Sequence, residues 1–147
     1  MKIAGIIAEY NPFHNGHAYH IEETRKQTGC DYIIAVISGD FVQRGAPASS
    51  DKYIRTRTAL LGGADLVLEL PVCAAVSSAE TFARTGVRLL DSLNCVNFLS
   101  FGCETDRKDL LSSLARLFSQ EPPAFSRGLF SYLKQGYSFP AARAKAA

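Results

Sequence analysis

Four short, nearly continuous apolar runs, separated by segments with helical spacing, constrain this chain more than any other feature. The runs are Ile3 to Ile7, Tyr32 to Ile37, Leu66 to Leu70 and Val96 to Phe101. Such runs suit strands covered by helices on both faces of a sheet. Between them Ile54, Thr58 and Leu61 recur at i, i+4 and i+7, and Phe82, Gly86, Leu89 and Leu93 extend a similar stripe. Each stripe is expected to cover one face of the sheet. Strands alternating with helices of this length imply right-handed crossovers, and so an α/β fold with a doubly wound parallel sheet.

Helix boundaries carry their own signals. Ser77-Ser78-Ala79-Glu80 reads as a capping box in which Ser77 and Glu80 satisfy orphan amides reciprocally. Gly29, after Arg25 and Lys26, and Gly62, after Leu61, read as left-handed helix stops. Asp106 to Phe118 is expected to be a helix burying Leu110, Leu111, Leu114, Leu117 and Phe118, and Phe125 to Lys134 another after Pro122-Pro123. Ser138-Phe139-Pro140 opens a further helix, of which only Ala141 to Ala147 follows. The expectation is a domain over residues 1–137, with residues 138–147 starting a helical region that either continues in a longer protein or needs a partner.

A length of 147 residues suits one domain with a continuous core, and 47% hydrophobic with 20% charged residues is an ordinary globular balance. A net charge of +2 is too small to argue for nucleic acid by itself. Lys52, Arg55 and Arg57, like Arg143 and Lys145, read first as solvated helix faces, an anion site being the other reading. Cys30, Cys73, Cys95 and Cys103 form no CxxC pair and have no histidine at zinc-site spacing, so reduced thiols and no metal site are expected. Ile3 to Ala8 is too short for a signal peptide, Glu9 ends it, and no later run is long enough to span a bilayer. A cytoplasmic protein is expected, with no membrane partner.

In a doubly wound sheet, ligands bind outside the carboxyl ends of the strands. That rule selects the loops Ala8 to Gly16, Ser38 to Ala46 and Gly102 to Thr105. No GxGxxG follows the first strand and no GxxxxGK[ST] occurs, which disfavours two common nucleotide folds. Instead Ala8-Glu9-Tyr10-Asn11-Pro12-Phe13-His14-Asn15-Gly16-His17 feeds a helix beginning near Asn15. Gly16 allows close backbone approach, and the amides of the first helical turn with two imidazoles form a donor site for polyphosphate. The structural alternative is that His17 caps the helix and His14 is a satisfied loop histidine. Two histidines three apart, without a third ligand, are too few for a catalytic zinc.

HxGH between strand and helix resembles the HxGH nucleotidyltransferase superfamily, with its Rossmann-like fold. Gly5 through His17, Ser38-Gly39-Asp40-Phe41-Val42-Gln43-Arg44-Gly45, Gly63 through Pro71 and Ser100-Phe101-Gly102 together resemble the bacterial tRNA(Met) cytidine acetate ligase family. The likeness runs through nearly the whole chain, although the family's chains are considerably longer. It implies an ATP-dependent ligase that forms acetyl-adenylate from ATP and acetate. Acetyl transfer to N4 of the wobble cytidine of elongator tRNA(Met) then follows. His14 and His17 would be catalytic, stabilising charge on the leaving pyrophosphate, with Mg²⁺ shared among the phosphates. Ile7, Ala8, Glu9, Tyr10, Asn11, Pro12, Phe13, His14, Asn15, Gly16, His17, Ala18, Tyr19 and His20 would wrap ATP, and Gly102 would approach it from the fourth strand.

Ser38, Gly39, Asp40, Gln43 and Arg44, in the second ligand-facing loop, are assigned to the acetyl or cytidine side. The bland alternative there is a loop salt bridge between Asp40 and Arg44. An adenylyltransferase for a small phosphorylated metabolite shares HxGH and the fold, and a non-catalytic nucleotide-binding or tRNA-binding fragment is the reading of another class.

Overall fold

Strand β2 (Tyr32–Ser38) is buried from Ile33 onward, and the sheet forms around it. The structure is a computed structural model that describes residues 1–103 and 107–147. Strands β1 (Ile3–Ala8), β3 (Leu66–Leu70) and β4 (Phe98–Ser100) complete a four-stranded sheet of order β3-β2-β1-β4. Every pairing is parallel: Ile3↔Tyr32 to Ala8↔Ile37, Ile34↔Leu66 to Ser38↔Leu70, and Ala4↔Phe98 to Ile6↔Ser100. This is the expected doubly wound α/β arrangement.

Period-two alternation along β2 feeds two cores. Ile33, Ala35 and Ile37 share a cluster with Ile21 of α1 (Asn15–Thr28) and Ala59 of α2 (Lys52–Leu61). Ile34 and Val36 share the other with Ala74 and Ala75 of α3 (Val72–Ala75) and Leu90 of α4 (Ala79–Ser92). Each fully buried isoleucine contributes roughly 2 kcal/mol.

Several expectations need correction. The inward residues of α2 are Arg55 and Ala59, at 1% and 0% exposure, whereas Ile54 and Leu61 are 56% and 79% exposed. The apolar spacing misplaces the helix face because the groups beneath it are backbone carbonyls. Helix α4 is capped by Ser78, whose Oγ accepts from Thr81 N at 3.3 Å; Ser77 Oγ donates to Ala74 O at 2.6 Å and closes the unexpected helix α3. Glu80 is thereby one position early for a capping box, and it pairs with Arg84. Gly29 is left-handed as expected, with φ 61, but Gly62 has φ −80 and Gly63 takes the left-handed turn at φ 107. Gly62 is needed for another reason, since a Cβ there would overlap the Phe13 ring. Strand β4 is shorter than its apolar run, because Asn97 backs onto β1, with its Oδ1 accepting from Ile3 N at 2.8 Å.

The chain forms two compact units, Met1–Gly102 and Cys103–Ala147. The second contains α5 (Lys108–Gln120), α6 (Pro123–Lys134) and α7 (Phe139–Ala146). The expected starting residue Asp106, and Glu104 and Thr105 of the third ligand-facing loop, lie outside the described residues. Leu111, Leu114, Leu117 and Phe118 are only half-buried and Leu110 is exposed, contrary to the buried stripe expected. Arg143 lies 3.9 Å over the Phe118 ring and Lys145 5.0 Å over Tyr137. Arg143 thereby covers an aromatic face, while Lys145 stays exposed, as a solvated helix face expects.

Candidate functional site

The site begins where β1 stops. Tyr10 turns the chain with φ 48 and its side chain is 1% exposed, and the Asn11–Pro12 peptide that follows is cis. The Tyr10 ring lies 4.9 Å from Phe13 and 4.7 Å from His17, and Phe13 lies 5.5 Å from His17. An aromatic floor thus supports the second histidine. Burial pushes the Tyr10 pKa up to about 12, and its hydroxyl has no hydrogen-bond partner among the described residues.

His14 is the N-cap of α1, with extended φ −144 and ψ 175. Its Nδ1 accepts from Gly16 N at 3.1 Å, while His17 Nδ1 accepts from His14 N at 3.3 Å. The two imidazoles therefore close a reciprocal cap of the kind Ser and Glu usually make. Both rings accept through Nδ1, so in the neutral state both carry their proton on Nε2. The rings stack with centroids 3.7 Å apart and planes inclined by 23°. Burial, followed by the nearby His14 and His20, lowers the His17 pKa from its ordinary 6.5 and favours that neutral state. Two Nε2–H donors are left without a protein partner among the described residues, and the first turn of α1 contains no acidic residue to oppose an anion. The cap and the donor site are one structure, where sequence reasoning treated them as alternatives.

The residue that sequence reasoning missed is Arg55. Its Nε donates to Ser50 O at 3.1 Å, one terminal nitrogen donates to Glu9 O at 2.9 Å, and the other donates to Gly39 O. One buried guanidinium thereby joins the loop after β1 to the loop after β2, so the solvated-face reading fails for Arg55. The available signal was its position four residues before Ala59 and four after Asp51, whose Oδ1 caps α2 by accepting from Tyr53 N and Ile54 N.

Further bonds brace the same loops. Glu9 Oε1 accepts from Gln43 N at 2.7 Å and Asn11 Oδ1 from Ser49 N at 2.6 Å. Asp40 Oδ1 accepts from Lys52 N at 3.3 Å, and Lys52 Nζ pairs with Glu69 at 2.8 Å. No ion pair joins Asp40 to Arg44 among the described residues; Arg44 is exposed, with φ 71. Ser38 ends β2 fully buried with an unpartnered Oγ, beside a buried Gly39.

Of the residues assigned to the first loop, the structure brings Glu9 to Phe13, His14, Gly16 and His17 together. Ile7 and Ala8 lie half-buried against the cores, and Tyr19, 64% exposed, lines a groove with Asn15, Ala18, Glu22 and Arg25 along the outside of α1. His20 instead meets Ser100 at the end of β4, with 3.0 Å between Nε2 and Oγ. Gly102 is exposed just beyond that strand. Strands β1 and β4 are neighbours at the point where the order 3-2-1-4 reverses, where this class of sheet opens a ligand crevice.

A family profile described as HIGH Nucleotidyl Transferase matches residues 1–147. The chain belongs to that family. Among its relatives, the tRNA(Met) cytidine acetate ligase of Clostridium tetani is 51% identical over 146 residues, covering 99% of this chain and 36% of the relative. The corresponding ligase of Clostridium perfringens is 53% identical over 146 residues, with the same coverage. A crystal structure of Thermotoga maritima TmcAL bound with alpha-thio ATP superposes with TM-score 0.92 at 46% identity, covering 99% of this chain and 35% of that one. The apo form of TmcAL gives 0.94 at 46% identity, covering 99% of this chain and 34% of the TmcAL chain. This HIGH family member thus spans about a third of the length of the relatives it matches.

Proposed function

We propose that the loop between β1 and α1 binds the phosphates of ATP, and that this chain carries the nucleotide chemistry of a tRNA(Met) cytidine acetate ligase. The observation that carries the reading is the paired Nε2–H donors of His14 and His17 at an uncharged helix N-terminus. An acetate oxygen attacks the α-phosphorus, and the bond from that phosphorus to the bridging oxygen breaks. Pyrophosphate leaves with the electron pair, and acetyl-adenylate forms. His14 and His17 donate to the leaving pyrophosphate, and the backbone at Gly16 and Gly102 lets the nucleotide approach closely. In the second step of this reading the N4 amine of the wobble cytidine of elongator tRNA(Met) attacks the acetyl carbonyl, AMP leaves and N4 loses a proton.

Ser38, Gly39, Asp40, Gln43 and Arg44 form the acetyl or cytidine side in this reading. Its support is that Arg55 and Glu9 tie their loop to the histidine loop. Among the described residues no group of three or more His, Cys, Asp or Glu gathers to hold a metal. Mg²⁺ would accordingly come in with the phosphates of ATP, and would supply neutralisation of their charge. No helix among the described residues is long and apolar enough to cross a membrane.

The test is exchange of labelled pyrophosphate into ATP. Exchange that requires acetate, and that is lost in His14→Ala, supports the ligase reading. Exchange that instead requires a phosphorylated metabolite replaces it with adenylyl transfer to that metabolite. ATP binding seen by calorimetry without exchange under either condition leaves a nucleotide-binding module and overturns the enzymatic reading of this chain.

A further inference from the structure

The third histidine of the chain differs from the first two, because its ring is engaged by a strand. His20 Nε2 lies 3.0 Å from Ser100 Oγ. One turn along the helix, Thr24 is 3% exposed, and its Oγ1 lies 2.8 Å from His20 O and 2.7 Å from Ser100 Oγ. Counting protons orders this circuit. A carbonyl only accepts, so the single hydroxyl proton of Thr24 goes to His20 O. Thr24 Oγ1 is then the acceptor at 2.7 Å, and the proton of Ser100 points to it. Ser100 has no second proton, so at 3.0 Å it accepts from His20 Nε2–H. The ring is thereby held in one tautomer.

The circuit lies where the sheet is least secured. Strand β4 is three residues long and among the described residues pairs only with β1, through Ala4↔Phe98, Gly5↔Leu99 and Ile6↔Ser100. Among the described residues no ladder pairing continues beyond Ser100, and Gly102 follows two residues later.

We propose that His20 is a positioning residue: by donating from Nε2–H to Ser100 it fastens the end of β4 to α1 and sets the path of the chain into Gly102. It acts through Ser100, and it follows His17 of the donor pair by one turn of α1. Its consequence for affinity rests on the nucleotide reading above, whereas the bridge itself does not. Burial lowers the His20 pKa, which favours the neutral ring with Nδ1 bare.

Two measurements on the full chain test this. Long-range proton–nitrogen correlation spectra of the imidazoles are expected to show His20 protonated at Nε2; a neutral ring protonated at Nδ1 overturns the bridge. In calorimetry with ATP, His20→Leu is expected to weaken binding about tenfold, the scale of one lost hydrogen bond. His20→Gln, which keeps an N–H donor, is expected to recover most of that loss, with melting temperatures of the variants alike. Equal weakening in Leu and Gln, or none in Leu, overturns the positioning role. Absence of ATP binding by the wild-type chain overturns the nucleotide reading of the site and leaves the bridge to be decided by the ring spectra.

Discussion

Residues Met1–Gly102 and Cys103–Ala147 are both helix-rich, yet they are held in different ways. The first unit buries both faces of β2 and part of α2, and places a guanidinium where carbonyls need a donor. In the second, Phe125 and Ala142 are the buried apolar residues among those described, and the stripe of α5 stays half-exposed. Helical spacing therefore reports that a helix exists in both, but not how much of it an interior encloses. Where the interior is polar, spacing even selects the wrong face.

The contrast is broken most severely at Arg55. Arg55→Met leaves the carbonyls of Glu9, Gly39 and Ser50 without their donor. An unpaired buried acceptor costs about 1–3 kcal/mol, so the expected loss is about 3 kcal/mol or more in urea unfolding. A loss below about 1 kcal/mol would show that the loops are braced without the guanidinium.

Next in size is Gly62→Ala, which drives a Cβ into the Phe13 ring. The expected loss is about 2 kcal/mol, and because Phe13 touches His17, ATP affinity falls with it. Unchanged stability and affinity would mean that the aromatic floor gives way without consequence. In the second unit Leu114→Ala removes a half-buried side chain and is expected to cost about 1 kcal/mol. Amide exchange should quicken in α5 and α6 and stay constant in β2; quickening in β2 would join the two units into one cooperative body.

The smallest expected effect is a pH slope. His17 has a lowered pKa in the folded chain, so just below its ordinary 6.5 the unfolded state binds more protons. The contribution of His17 is present above pH 6.5 and lost as pH falls through its folded value. Denaturation midpoints should decline in this range, and His17→Gln should flatten the decline. An equal slope in the variant would assign the acid sensitivity elsewhere.

The strands, their parallel order and the donor loop were legible because they depend on local pattern: Ile3–Ala8 and Leu66–Leu70 are apolar runs bounded by turn residues, and HNGH follows a strand. What escaped depends on partners distant in sequence. Arg55 is defined by carbonyls 46 and 16 positions away, and Gly62 by an aromatic ring in another loop. Ser78 displaced Ser77 because α3 took the first serine for its own closure. In the site itself, the identity of the donors was legible from HNGH, but their tautomers required the cap geometry.

The guanidinium of Arg55 also determines how the site comes apart. Through this side chain α2 bonds to the loops after β1 and β2 at once, and the Glu9–Gln43 and Asp40–Lys52 bonds add to that brace. A local opening of α2 is therefore expected to loosen both loops together, so that amide exchange in the two loops should rise in step.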